Sequence, residues 1–305
     1  MHRPLFNETK QKILSVLIVT LGAFLGFQAI SIALGWYQLN NTLNLAFYIY
    51  FFHVFWLTFL FDLHLKKRGV LANAKMNHQG LRMLWKAFLE RCEHMRHWPY
   101  FRHYLNYLVL PGVLYWATVV ILFLNPFRTD FKQFIILCST IVLGVAYWYM
   151  KEHVSHRLEA HDHWLKILSV VKLFAAFLSY SSLIGISQYF GYGADFLAAT
   201  TSLVTFLLFY QAIFQHGHMR FEIFVWLILI TLFQTLVVIW VYFNWNAEYL
   251  TAGIIFAATH NLFWGILHHH MDKTLSRKVA VEYLLMAVVV ISFLFASHNF
   301  TQRIN

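Results

Sequence analysis

The chain has 305 residues, 60% of them hydrophobic and 12% charged, about half the charged share of a soluble domain. A bilayer-spanning helix needs roughly 20 apolar residues, and runs of that length recur with little of the period-two alternation of a membrane barrel. This excludes a soluble globular domain and predicts an all-α, polytopic transmembrane helix bundle. Cys92 and Cys138 lie far apart with no CxxC spacing, so neither a disulfide framework nor a zinc knuckle is expected.

About nine spans are predicted, at 13–37, 43–65, 104–125, 131–151, 165–190, 195–216, 221–244, 248–268 and 279–297. The first follows "NETKQK" and lacks a small-x-small cleavage site, so it reads as an anchor helix, not a signal peptide. The second, "FFHVFWLTFLFDLHL", places His53 near mid-membrane and His64 beside the basic "KKR". After it comes the one long link, 66–103, where Leu81, Leu84, Trp85, Phe88 and Leu89 recur at helical spacing among basic residues. That pattern predicts a cytoplasmic amphipathic insertion lying on the membrane surface. No second domain is expected, so 1–305 reads as a single integral-membrane domain. In the fifth span Lys172 is expected to snorkel toward the interface.

Charge sets the orientation. With a cytoplasmic N-terminus, the cytoplasmic segments hold 19 of the 23 Lys and Arg residues, as the positive-inside rule requires. The +10 net charge is then a topology signal and an attraction to anionic lipid, and no nucleic acid is needed to explain it.

The histidines follow the same map. Fifteen of eighteen fall on the cytoplasmic side, while His53 and His260 lie near mid-membrane. Clusters end the fourth, sixth and eighth spans, which all run outward to inward. In "KEHVSHRLEAHDHW", continued as a helix, Glu152, His156, Glu159 and His163 form one stripe at i, i+4, i+7 and i+11, with His153 beside it. In "FYQAIFQHGHMRF", Gln211, Gln215 and His218 share a face and His216 points nearly the opposite way. In "THNLFWGILHHHMDK", His268 lies two turns from His260 on a similar face; His268, His269 and His270 cannot all point one way. In "ERCEHMRH" the Glu–His pairs read as the solvated face of a surface helix.

Imidazoles with carboxylates on one face are a ligand set for iron or zinc. The candidate metal ligands are His153, His156, His163, His216, His218, His260 and His268, with Glu152 and Glu159 accepting the spare ring protons. The plain alternative for each cluster is a solvated, ion-paired helix end. Three functions follow. One is a histidine-ligated non-haem iron oxidoreductase of oxygenase or desaturase type, taking a lipophilic small molecule from the bilayer and electrons from a cytoplasmic donor. The second is a haem b carrier or enzyme with His53 and His260 as axial ligands. The third is a proton- or metal-coupled transporter. Clustered ligands favour the first, with iron as the cofactor and haem b, zinc or copper as alternatives. A bacterial inner membrane is the expected location.

Three pieces carry a resemblance: "FAATHNLFWGIL" around His260, "FYQAIFQHGHMRF" around His216 and His218, and "FFHVFW" around His53. With histidines on alternate spans, they resemble the Brp/Blh-type bacterial membrane carotene dioxygenases. The resemblance implies a His-bound iron and oxidative cleavage of a carotenoid. That family's Pro-His-Gly stretch is absent at His53, and its His-x-x-x-His helix is His-x-His here.

Overall fold

A computed structural model describes residues 4–36, 39–55, 98–124, 129–155, 162–215, 220–245 and 248–297, with scattered positions between 82 and 97. These residues form nine helices and, among them, no strand. In chain order they are α1 (Pro4–Trp36), α2 (Leu39–Phe55), α3 (Trp98–Leu124), α4 (Thr129–Ser155), α5 (Asp162–Phe190), α6 (Ala194–Gln215), α7 (Phe221–Asn244), α8 (Tyr249–Met271) and α9 (Arg277–Ser297). Each overlaps one predicted span, and residues 56–65 of the second lie outside the described residues. Seven, α1 and α4–α9, are long and apolar enough to cross a membrane, and α3 holds a shorter apolar stretch, Leu108–Leu124. Of the expected surface helix only single positions are described. Arg82, Trp85, Leu89 and Glu93 are helical there, and the Trp85 and Leu89 side chains are exposed.

Local chemistry explains the tight connections. Gly191 has φ +68°, a left-handed conformation that glycine adopts without steric cost. With it there, the Tyr192 N–H donates to the Ser187 carbonyl at 3.0 Å, the six-to-one closure of a Schellman turn that ends α5. Asp195 then sits in the first turn of α6, where a carboxylate complements the helix dipole. The end of α8 makes the same closure from the Thr274 N–H to the His269 carbonyl at 2.9 Å. There the left-handed residue is Lys273, φ 57°.

The helices fall into two compact units. The first takes residues 1–115 and 127–168. In it α1 packs on α4 and α2, burying Phe27, Ala46, Leu114, Tyr115 and Tyr147. Gln28 of α1 and Gln133 of α4 exchange amide hydrogen bonds, the one from Gln133 Nε2 being 3.1 Å long. Such pairing holds spans together where lipid gives no hydrophobic drive between them.

The second unit takes 116–126 and 169–305. Here α6 packs on α7, α7 on α8 and α8 on α9. Phe209, Ile213, Ile223, Leu227, Ile230, Leu267 and Met271 form one buried cluster. A side chain at Gly253 of α8 would put its Cβ 3.1 Å from the Cα of Ser181 on α5, so these helices cross almost backbone to backbone. Only 6% of the apolar window of α9 is buried. Its Val281, Leu284, Leu285, Val289 and Phe293 point outward, as a lipid-facing helix requires.

A candidate functional site around Lys172 and His260

In the second unit, polar groups gather midway along four spans. Tyr180 lies ten residues before the end of α5, Thr205 eleven after the start of α6, Gln234 ten before the end of α7, and Thr259 and His260 ten and eleven after the start of α8. At 1.5 Å per residue that is about 15 Å from the helix ends, half the thickness of a hydrocarbon core. All five are buried. The bilayer core offers them no bulk water, so they must be satisfied inside the protein.

The partners form two sets. Gln234 donates from Nε2 to the Phe256 carbonyl at 3.1 Å and accepts at Oε1 from the Thr259 hydroxyl at 3.0 Å. The Tyr180 hydroxyl lies 2.9 Å from Thr205 Oγ1 and 3.2 Å from His260 Nδ1. The Phe209 ring packs on the imidazole, centroids 4.3 Å apart, and the Tyr180 ring meets it edge-on. Two hydrogen-bond polarities fit the Thr205–Tyr180–His260 row. Thr205 donates to Tyr180 and Tyr180 to Nδ1, leaving the ring proton on Nε2. Alternatively Nδ1–H donates to Tyr180 and Tyr180 to Thr205, leaving a lone pair on Nε2. Reversing the row therefore moves a proton between the two ring nitrogens.

Beside His260 is a small cavity. Ser169, Lys172 and Leu173 of α5, Leu208, Phe209 and Ala212 of α6, and Asn261 and Trp264 of α8 complete its lining. It measures about 10 Å³ counted as room for the centre of a water molecule, which suits a single water. Ser169, Asn261 and Trp264 are partly exposed, whereas Lys172 and His260 are each 6% exposed. The Lys172 Nζ sits over the Trp264 ring, 5.6 Å from its centroid, a cation–π contact that strengthens when desolvated. Lys172 thus does not snorkel. It begins only six residues inside the apolar stretch Lys166–Phe190, within reach of the interface, but its rotation on α5 turns it toward α8.

A family model described as "Protein of unknown function (DUF5656)" matches residues 74–297. The chain belongs to the DUF5656 family. No curated protein and no solved structure matches it. The part shared with the DUF5656 model takes in Lys172, Tyr180, Thr205, Gln234 and His260, and leaves His53 outside.

The other predicted site residues fall as follows. His53, in the first unit, is 6% exposed, and its Nε2 has no hydrogen-bond partner among the described residues. The buried Tyr147 hydroxyl beside it is equally unpaired there, and the two ring centroids are 5.3 Å apart. The three histidines ending α8 take three partners. His268 Nε2 lies 3.4 Å from Asp272, His269 Nδ1 lies 2.8 Å from the Thr274 hydroxyl, and His270 Nε2 lies 3.5 Å from Glu222. The His268 ring also packs against Trp264. His156, Glu159, His216 and His218 lie outside the described residues, as do the side chains of Glu152, His153 and His163. Among the described residues, no group of three or more His, Cys, Asp or Glu is placed to hold a metal ion.

Tyr180, Thr205 and Gln234 escaped the sequence reading, because hydroxyls are ordinary in membrane helices and usually bond their own backbone. A usable signal is the central "SYSS" of α5 taken with the lone Gln of α7 at matching depth.

Proposed function

We propose that the protein is a proton-coupled membrane carrier whose working centre is the Lys172–His260 cavity and the Tyr180–Thr205 row behind it. The observation that supports this is the hydrogen-bonded row Thr205–Tyr180–His260 ending at a water-sized cavity that also holds Lys172. Two titratable side chains inside membrane spans are costly and mark proton or substrate pathways. In the two polarities His260 carries either an N–H or a lone pair at Nε2, so the imidazole can release a proton there in one state and take one up there in the other. We place the N-terminus in the cytoplasm on the Lys/Arg asymmetry, and propose a bacterial inner membrane as the location.

The test is proton uptake into vesicles containing the purified protein and a trapped pH dye, driven by an imposed inside-negative potential. Uptake above empty vesicles, lost in His260→Ala and Lys172→Met, is the expected result. Uptake indistinguishable from empty vesicles across candidate solutes would refute it.

A second reading has its own observation. The Tyr180 hydroxyl meets Nδ1 of His260, the kind of hydrogen bond that fixes the orientation of an imidazole whose other nitrogen binds a metal. With the histidine clusters and the carotene-dioxygenase resemblance, this fits an iron oxidoreductase acting on a lipophilic substrate. Metal analysis and an absorption spectrum of the purified protein separate the readings. Stoichiometric iron lost in His260→Ala favours the oxidoreductase, and a haem Soret band favours haem b.

A further inference from the structure

We propose that the α8–α9 turn and the exposed face of α9 form a binding site for an anionic phospholipid. Lys273, Arg277 and Lys278 hold the phosphate, and the acyl chains lie along the helix. The proposal concerns a surface apart from Lys172 and His260 and goes beyond the carrier reading.

Charge is gathered at one end of the second unit. Residues 272–278 are all exposed, and they hold three cations, Lys273, Arg277 and Lys278, against the single carboxylate of Asp272. The links at the other end, 191–193 between α5 and α6 and 245–248 between α7 and α8, hold no cation. Two nearby carboxylates face histidines, Asp272 lying 3.4 Å from His268 and Glu222 lying 3.5 Å from His270. Among the described residues, none of the three cations makes an ion pair, not even Lys278 with the exposed Glu282 one turn on. Three positive charges thus face outward together at the end of a span.

An apolar face continues from the charges. Arg277 is followed at helical spacing by Val281, Leu284 and Val288, and Lys278 by Leu285 and Val289. These five apolar side chains are exposed. The opposite side of α9 holds the buried Ala287 and Tyr283, whose ring lies against Gly265 and His269 of α8. The 21 residues of α9 rise about 31 Å, the thickness of a hydrocarbon core, so Arg277 and Lys278 fall at headgroup level. Leu275 is exposed between the cations, a placement the boundary between headgroups and acyl chains accommodates. A phospholipid fits both parts of this surface. Its phosphate accepts charge-assisted hydrogen bonds from Lys and Arg, and its tails cover side chains that the protein leaves bare. A zwitterionic headgroup fits less well, because it brings its own ammonium among three cations.

The test uses the full-length protein in vesicles, with Cys92 and Cys138 replaced by serine and a bimane label on Leu285→Cys. Phosphatidylglycerol and phosphatidylcholine, each brominated on its tails, are titrated separately, and quenching reads which lipid occupies the face. Phosphatidylglycerol should associate at least about fivefold more strongly, the scale of one Lys or Arg at an anionic surface. The preference should vanish when Lys273→Asn, Arg277→Gln and Lys278→Gln are combined. It should be absent for a label on Leu236→Cys, which is exposed on α7. Should the triple variant fail to fold, Arg277→Gln with Lys278→Gln should still weaken the preference severalfold. Equal quenching by the two lipids overturns the proposal, as does a preference that survives these substitutions or is as large at Leu236. Weak quenching by both lipids at Leu285 also overturns it, since a second copy of the chain would then cover α9.

Discussion

Tyr180→Phe tests the mid-membrane row most cleanly. The substitution removes one hydroxyl and keeps the ring, so the edge contact with Phe256, centroids 6.0 Å apart, survives and no cavity opens. Two hydrogen bonds are lost, at 2.9 Å to Thr205 and 3.2 Å to His260. Interhelical hydrogen bonds in membranes average about 0.6 kcal/mol, with a ceiling near 1.7. Two of them, with His260 Nδ1 left buried and unpaired, give an expected loss of about 1–2 kcal/mol. Thr205→Val keeps the shape and removes one bond, so about 0.6 kcal/mol is expected. The double variant should fall short of the sum by about the same amount, because the shared bond is lost only once. Reversible unfolding by SDS in mixed micelles, followed by far-UV circular dichroism, measures all three. Proton uptake in Tyr180→Phe vesicles should fall at least about tenfold, the scale of a lost proton-transfer group. Wild-type stability in Tyr180→Phe, or strict additivity with Thr205→Val, would refute the coupled row.

Further outcomes follow from other parts of the chain. Reporter fusions after Lys67, Lys166 and Lys273 should read cytoplasmic and fusions after Asn125 and Asn246 outside; an outside reading at Lys166 would invert the proposed orientation. Gly253→Ala should cost about 1–3 kcal/mol in the same micelle assay, since its Cβ meets the backbone of Ser181. Gly22→Ala, with nothing within 4 Å, should instead stabilise by about 0.5–1 kcal/mol. Lys273→Gly should gain about 1 kcal/mol by relieving φ 57°, and no gain there would mean the turn holds its shape at no cost. For the metal reading, His156→Ala should abolish bound iron while His161→Ala, off the stripe, leaves it. Equal retention in both would reduce "KEHVSHRLEAHDHW" to a solvated helix end.

The spans were legible because hydrocarbon imposes a length, and apolar runs of that length announce themselves. Their ends were less so. α1 begins at Pro4 and α3 at Trp98, several residues before the apolar runs, since a helix continues into polar sequence that hydropathy does not score. That His260 lies buried at mid-span and needs a polar partner was legible, because an imidazole there is costly enough to need a reason. Lys172 was misread because position along a helix says how near the interface a residue lies, while its neighbours depend on rotation about the axis. The Tyr180–Thr205 row depends on three helices meeting at one depth, and no single stretch of sequence carries that.

The level at which Tyr180, Thr205, Gln234, Thr259 and His260 meet has a mechanical consequence. It ties α5 and α6 to α8, and α7 to α8, by bonds that cannot be exchanged for water one at a time. Sliding any one of these helices along its axis would strand several buried polar groups at once, whereas tilting about this level would strand few. Movement in this half of the molecule should therefore look like rods rocking on a shared waist. A force probe pulling at the C-terminus should meet its main resistance there, once α9 has peeled away.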